Sequence, residues 1–181
     1  DLIRMPIPQD SRFVNMRIVT VEPQPFFELP MKTFNMSNRA PRRDAKAVIY
    51  VDGGSHQQKG GPAAAAITVF TIENGVVVRK NFGRFYPGTT NNCAEAASML
   101  AALRYRKLHI PNGHEVTIIN DSMITYDFVL GKADFKDAKL RSIGTMIKDI
   151  TDNELVLHTT FCHMFRSYGN YADEICNKVI A

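Results

Sequence analysis

Four acidic residues stand where two apolar runs end and where two helical patterns begin. Asp52 and Asp121 each follow directly after a short apolar run. Glu95 and Asp173 lie early in stretches whose apolar residues recur at helical spacing. Carboxylates that cluster repel one another unless hard cations neutralise them, and Mg²⁺ and Mn²⁺ prefer such oxygen ligands. If the four side chains converge, they predict a site for two divalent ions, an arrangement that promotes in-line displacement at phosphorus.

The elements that would position these residues follow from the apolar pattern. Continuous apolar runs ended by turn residues indicate buried strands, and an Asn-Gly pair between two runs indicates a hairpin. The pattern predicts strands at 47–51, 64–71, 76–85, 116–119 and 155–165, a turn at 52–55, and helices that begin near residues 90, 123, 140 and 172. This order predicts an α/β fold with a mixed five-stranded sheet and helices on both of its faces.

Residues 1–44 differ from the rest of the chain. Prolines recur in this segment and no helical period lasts longer than one turn, which is typical of a linker or an extended arm. We therefore divide the chain into a linker or N-terminal extension, 1–44, and one folded domain, 45–181. Because the first residue is Asp1 rather than Met, we expect the chain to be a piece of a longer protein.

The net charge of +4 permits a polyanionic partner but does not require one. Basic residues cluster at 39–46 and at 104–107, and a solvated surface explains either cluster equally well. No apolar run approaches the roughly 20 residues that span a bilayer, so no membrane partner is expected. The cysteines at 93, 162 and 176 match neither a disulfide framework nor a zinc site. They predict buried free thiols, which suits a reducing intracellular compartment without identifying it.

Each of the four acidic residues also has a purely structural explanation. Asp52 could belong to a glycine-rich turn, and Asp121 could cap the helix that follows it. Glu95 stands three residues after Asn92, which is the spacing of a capping box. Asp173 would complement the dipole of the last helix. Taken together, their placement favours a metal site, because the carboxyl ends of neighbouring parallel strands share one edge of a sheet.

The acidic residues lie in short motifs that resemble those of the ribonuclease H family. The motifs occur in the family's order and span nearly all of 46–181: Tyr50-Val51-Asp52-Gly53-Gly54-Ser55, Thr90-Asn91-Asn92-Cys93-Ala94-Glu95, Ile119-Asn120-Asp121-Ser122 and Tyr171-Ala172-Asp173-Glu174. The resemblance implies a ribonuclease H fold and an endonuclease that hydrolyses the RNA strand of RNA–DNA hybrids to 5′-phosphate and 3′-hydroxyl ends. It also implies that the four acids hold two Mg²⁺ ions, for which Mn²⁺ can substitute.

The resemblance assigns further residues to the substrate. The segment Gly53–Ser55 would let the hybrid backbone come close. Asn91 and Asn92 would contact the minor groove, where an amide can both donate to and accept from the 2′-hydroxyl that distinguishes RNA from DNA. Thr90 would hold a phosphate of the DNA strand. Simple capping of the helix is the alternative for Thr90, Asn91 and Asn92.

The loop before the last acidic residue departs from the family pattern. Many members place a mobile histidine there, which assists product release or deprotonation of water. His163 is the candidate in this sequence, and a packed strand histidine is the alternative. Arg166 fits a compact subtype from archaea, plants and retroelements, in which an arginine often occupies this place and would contact phosphate. The asparagine usual four residues before the last acid is displaced, with Gly169 in its place and Asn170 next.

The resemblance predicts an RNA–DNA hybrid as partner, with a fused or associated polymerase domain such as the reverse transcriptase of a retroelement. Two other functions stay open. One is a non-catalytic ribonuclease H-like module that binds nucleic acid or protein within a larger assembly, and the retention of all four acids argues against it. The other is a related exonuclease or transposase, which would have no clear need for the amides of Asn91 and Asn92.

Overall fold

A mixed sheet with helices on both faces forms the centre of the molecule. The structure is a computed structural model that describes residues 16–20, 24–25, 45–55, 60–73, 76–164 and 170–180. The strands are β1 (Met16–Thr20), β2 (Gln24–Pro25), β3 (Ala47–Ser55), β4 (Gly61–Glu73), β5 (Val76–Thr89), β6 (Val116–Asn120) and β7 (Thr159–His163). The helices are α1 (Asn91–His109), α2 (Met123–Val129), α3 (Ala138–Ile150), α4 (Asn153–Leu157) and α5 (Tyr171–Ile180).

Five strands form the mixed sheet that the sequence predicted, in the order β5-β4-β3-β6-β7. β3, β4 and β5 are antiparallel neighbours, whereas β6 runs parallel to β3 and β7 runs parallel to β6. Because β3 and β6 are parallel and adjacent, their carboxyl ends meet at one edge of the sheet. Asp52 and Asp121 both lie at this edge.

Two short strands from the segment 1–44 extend the sheet beyond β5. β1 pairs antiparallel with β5, with Met16 opposite Arg84 and Thr20 opposite Lys80. β2 pairs with the beginning of the same strand. In the described part of the chain the sheet therefore has seven strands, of which five are the predicted ones.

Alternating residues of β3 fill two apolar cores on opposite faces of the sheet. Ile49 and Val51 pack beneath α1 together with buried residues of α3. Val48 and Tyr50 pack on the other face, where Ile175 and other apolar residues of α5 cover them. Each large apolar side chain buried in this way contributes about 1.5–3 kcal/mol to the free energy of unfolding. Among the described helices, none is long and apolar enough to cross a membrane.

Two predicted element boundaries are wrong. The segment Asp52–Ser55 continues β3 instead of forming a turn, because it pairs residue by residue with 63–66 of β4. The run that begins at Leu155 starts as the short helix α4, since the Asp152 side chain accepts a hydrogen bond from the Leu155 N–H at 2.8 Å and caps it. α2 ends shortly before Gly131, which lies in the left-handed region at φ +75° that favours glycine.

Candidate active site

Asp52 lies where β3 passes closely beneath the first turn of α1. A Cβ atom at Gly53 would overlap the α1 backbone at Glu95 and the residue before it, so this approach requires glycine. The Ser55 N–H donates to Asn91 Oδ1 at 2.6 Å and ties the end of the strand to the first residue of the helix. The close packing brings Glu95 beside Asp52.

Thr90 caps α1, and this removes the structural explanation of Glu95. The Thr90 hydroxyl oxygen accepts a hydrogen bond from the Cys93 N–H at 3.2 Å. Asn92 therefore lies inside the helix, where its side chain is exposed, and it cannot form a capping box with Glu95. Glu95 is only 3% exposed to solvent. Glutamate is rarely buried to this degree unless its carboxylate is paired with another group.

Asp121 does not cap the helix that follows it either. Ser122 is the N-cap of α2, and its hydroxyl accepts from the Thr125 N–H at 3.3 Å. The carboxylate of Asp121 instead joins the other acids at the sheet edge. One carboxylate oxygen from each of Asp52, Glu95 and Asp121 lies within 4.8 Å of the other two.

Asp173 reaches the same cluster from α5, where its carboxylate shares a hydrogen bond with Asp52. The start of α5 is held by Asn170, a site residue that the sequence showed only as displaced from the family's position. Asn170 Nδ2 donates to the Val51 carbonyl at 2.7 Å, and Oδ1 accepts from the Ala172 N–H at 2.9 Å. Asn170 stands three residues before Asp173 and directly ahead of the helical pattern. This position in the sequence could have identified it as an N-cap.

Three of the four acids, all except Glu95, border a cavity of about 230 Å³. Its lining residues are Asp52, Gly53, Gly54, Asn91, Asp121, Asn170 and Asp173. The pKa of Asp52 is raised from its usual 3.8 to about 8. Burial contributes most, followed by the nearby charge of Asp121 and the hydrogen bond with Asp173, whereas a hydrogen bond with Glu95 lowers the pKa. Mutual repulsion of this kind is relieved when a divalent cation takes the place of the proton. The oxygen-only donor set therefore fits a hard ion such as Mg²⁺ or Mn²⁺.

Three of the residues that the resemblance assigns to the substrate lie at this cavity. Gly53, Gly54 and Asn91 line it, and a Cβ at Gly54 would meet nothing within 4 Å. Asn92 is exposed near the start of α1. Arg166 lies outside the described residues. Contacts of these residues with a substrate stay predictions.

His163 is the last residue of β7 and is buried against α2. Its ring lies 5.7 Å from the ring of Tyr126, measured between centroids. Its backbone is opposite Asn120, the residue before Asp121, so His163 is one strand away from the acids. It is not among the described residues that line the cavity. This environment agrees with a packed strand histidine, and a catalytic role for His163 stays a prediction.

The basic cluster at the end of α1 includes a residue whose environment the sequence did not reveal. Arg106 is buried; its Nε donates to Thr159 Oγ1 at 2.7 Å and its Nη2 to the His114 carbonyl at 2.8 Å. It ties the end of α1 to the start of β7, so a solvated surface is the wrong explanation for this residue. Its neighbour Lys107 is exposed, as expected.

Comparison with known proteins gives this site a family. LC11-RNase H1, isolated from compost by a metagenomic approach, is 28% identical with a TM-score of 0.61, and the match covers 75% of this chain and 95% of that one. In complex with an RNA/DNA hybrid, LC11-RNase H1 matches at 26% identity and a TM-score of 0.61, covering 75% and 96% of the two chains.

More distant structures share the fold. The protease–reverse transcriptase of prototype foamy virus is 17% identical with a TM-score of 0.58, covering 81% of this chain and 22% of that one. No protein of curated function matches the chain significantly by sequence. The family model of RNase H matches residues 44–162, which is more than half of the chain. The chain therefore belongs to the RNase H family and is a ribonuclease H.

Proposed function

We propose that this protein hydrolyses the RNA strand of RNA–DNA hybrids with two divalent metal ions held by Asp52, Glu95, Asp121 and Asp173. The observation that carries the proposal is the convergence of Asp52, Glu95 and Asp121 at the shared edge of β3 and β6, with Asp173 lining the same cavity as Asp52 and Asp121. The family match and the related enzyme solved with an RNA/DNA hybrid support this substrate.

We assign the four carboxylates to two ions. Asp52 would contact both ions, Glu95 and Asp121 would complete one site, and Asp173 would complete the other. Ions held by these residues would supply a water of lowered pKa and stabilisation of the leaving oxygen, chemistry that would leave 5′-phosphate and 3′-hydroxyl ends. We expect Mg²⁺ to be the ion used, with Mn²⁺ able to substitute. The exposed Asp173 stands on the solvent side, from which a substrate would approach.

The rim of the cavity offers the contacts that a hybrid requires. The open space around Gly54 would admit a sugar–phosphate backbone. Because Asn91 Oδ1 already accepts from Ser55, its NH₂ group is the part that would donate to the 2′-hydroxyl. The Thr90 hydroxyl accepts from the Cys93 N–H but also carries a hydrogen of its own, so capping of α1 is compatible with donation to a DNA phosphate.

We propose further that 45–181 forms the catalytic unit and that 1–44 is an N-terminal extension. A fused or associated polymerase domain is the partner that we propose for this unit. The foamy virus protein supports it, because the part that resembles this chain covers 22% of a protease–reverse transcriptase.

The first experiment is cleavage of a hybrid with labelled RNA in Mg²⁺ or Mn²⁺, beside single-stranded RNA, duplex RNA, duplex DNA and a chelator control. We expect metal-dependent cutting of only the RNA strand of the hybrid. Asp121→Asn is the matched control. It keeps the shape of the side chain but removes a ligand charge, so cleavage should fall by at least about 10²-fold while hybrid binding persists.

Each contrary result points to one of the other functions. Binding of the hybrid without cleavage by the wild-type chain would favour the non-catalytic module. Cutting of duplex DNA or of single-stranded RNA would favour the related nuclease. Full activity of Asp121→Asn would show that the acidic cluster is not the metal site.

A further inference from the structure

Two side chains, one at the N-cap of α5 and one within the helix, bond to the two peptide groups that flank the Cα atom of Asp52. Asn170 Nδ2 donates to the Val51 carbonyl at 2.7 Å. The Cys176 thiol donates to the carbonyl of Asp52 itself, with sulfur and oxygen 3.3 Å apart. Asp173 lies midway between them along the helix, three residues from each. The strand that carries one acid is therefore attached on both sides of that acid to the helix that carries another.

The attachment occurs where the sheet stops supporting β3 on one side. The parallel pairing of β3 with β6 ends at Tyr50 and Ile119, because the chain leaves the sheet after Asn120 to begin α2. Asn170 supplies its donor to Val51, the next residue of β3. The N-cap side chain of α5 thus continues the support of β3 directly beside Asp52.

The thiol of Cys176 is placed to act as a donor. It is buried, and its sulfur is within reach of the Asp52 carbonyl oxygen, to which an S–H group can donate. Cys176 also lies 3.7 Å from the carbonyl of Ala64 in β4, which places the sulfur over two adjacent strands. Asp173 and Cys176 are three positions apart in α5 and therefore share one face of the helix, and Asn170 stands directly before its first residue.

We propose that Asn170 and Cys176 are positioning residues that fix Asp173 against Asp52 and thereby set the spacing of the carboxylates around the second metal ion. The inference rests on the proposed function and deepens it. Neither residue needs to touch the substrate. Ile175 and Val179 would keep α5 on the sheet without these bonds, so their loss would loosen the carboxylate spacing while the fold remains.

The test compares variants that remove one bond at a time. Asn170→Ser keeps an oxygen that caps α5 but is too short to reach Val51. Cys176→Ala removes the thiol donor, and Cys176→Ser restores a donor at the same place. Cys162→Ala is the matched control, because Cys162 is a second buried cysteine of the same apolar core, located in β7.

Three quantities are measured on each full-length variant: Mn²⁺ binding by calorimetry without hybrid, kcat and KM on the hybrid, and Tm. We expect Asn170→Ser and Cys176→Ala to weaken the lower-affinity Mn²⁺ site and to lower kcat by about 10-fold to 100-fold, since supporting residues have effects of this size. KM should be unchanged. Cys176→Ser should recover most of the loss, and Cys162→Ala should bind Mn²⁺ like the wild type.

Two results would overturn the inference. In one, the Mn²⁺ affinity and kcat of Asn170→Ser and Cys176→Ala stay within about twofold of the values for Cys162→Ala. Differences of that size are typical of substitutions at sites that do not interact. In the other, every loss simply follows Tm across the series, which would indicate a structural role alone. Failure of the proposed function would be distinguishable from both results, because the wild-type chain itself would then leave the hybrid uncut. The calorimetric comparison of Mn²⁺ binding would still decide the positioning role.

Discussion

The two ends of α1 bury charge in opposite ways. Near the start of α1, Glu95 lies in a group of like charges in which the pKa of Asp52 rises to about 8. At the last turn, Arg106 is equally buried, but it donates to the hydroxyl of Thr159 and to the carbonyl of His114. A buried charge surrounded by neutral acceptors is compatible with a stable fold. Buried like charges reduce stability, so their presence indicates a site that binds a counterion.

The largest expected effect is a pH dependence of stability confined to the acidic end. In chelator, the folded protein holds a proton on Asp52 up to pH about 8, whereas the unfolded chain releases it near 3.8. The stabilisation by this proton is complete below the pKa of Asp52 in the unfolded chain and is lost as pH rises through its pKa in the folded protein. Over this range the free energy of unfolding falls by at most about 1.4 kcal/mol for each pH unit. Mg²⁺ should therefore raise Tm more at pH 8 than at pH 5.

Urea unfolding across this range, with and without Mg²⁺, measures the effect. Asp52→Asn is the control, because it has no proton to lose and should remove the slope. A metal-free wild type whose stability does not fall between pH 5 and pH 8 would contradict the assignment of repulsion to this end of α1.

Substitution at the other end should reduce stability and spare catalysis. Arg106→Met retains the apolar stem but leaves Thr159 and the bonded carbonyls without their donor, which should cost about 2–4 kcal/mol of unfolding free energy. Lys107→Met is the neighbouring control. Its ion pair with Asp152 is exposed and 3.7 Å long, so its loss should cost no more than about 0.5 kcal/mol. Loss of kcat by Arg106→Met at low temperature would show that the two ends are not independent.

Substitutions at the adjacent glycines Gly53 and Gly54 test how closely the start of α1, near the acidic residues, packs on β3. Gly53→Ala forces a Cβ into the α1 backbone and should destabilise the protein by about 2–3 kcal/mol and displace Glu95. Gly54→Ala enters open space and should leave stability within about 0.5 kcal/mol. Urea unfolding and hybrid cleavage separate the two. A Gly54→Ala protein of normal stability but reduced kcat/KM would support close approach of the hybrid backbone.

Apart from the control variants, the smallest expected effect is a gain in stability. Asp121→Asn removes the charge that, after burial, contributes most to the raised pKa of Asp52, so the metal-free variant should be more stable by about 1 kcal/mol. Parallel denaturation curves at pH 8 in chelator measure the difference. A less stable Asp121→Asn would mean that Asp121 has a structural bond that matters more than its repulsion.

The grouping of Asp52, Glu95 and Asp121 could be predicted because each lies in or directly after an element whose apolar pattern is clear. Ser122 and Thr90, the true caps, were visible beside them, but sequence alone does not decide between adjacent capping candidates. The turn predicted at Asp52–Ser55 was wrong because paired glycines are common in turns, whereas here Gly53 makes room for a helix that is distant in sequence. Such a reason appears only after tertiary packing.

Arg106 and Asn170 show the same limit. An arginine among basic neighbours indicates solvent, and only the position of β7 against the end of α1 explains its burial. The bond from Asn170 to Val51 joins residues 119 positions apart, and no local pattern contains it. The short strands β1 and β2 lie in a proline-rich segment where alternation was too brief to be recognised.

The three buried thiols provide an intrinsic reporter of local opening. Cys93 lies in the first turn of α1, Cys162 in β7 and Cys176 in α5, so the unmodified chain carries one alkylation site in each of three packed elements. Labelling requires transient exposure, and the rate at each sulfur therefore measures the free energy of opening of its own element. Mass spectrometry of alkylated peptides would show which of the three elements separates first.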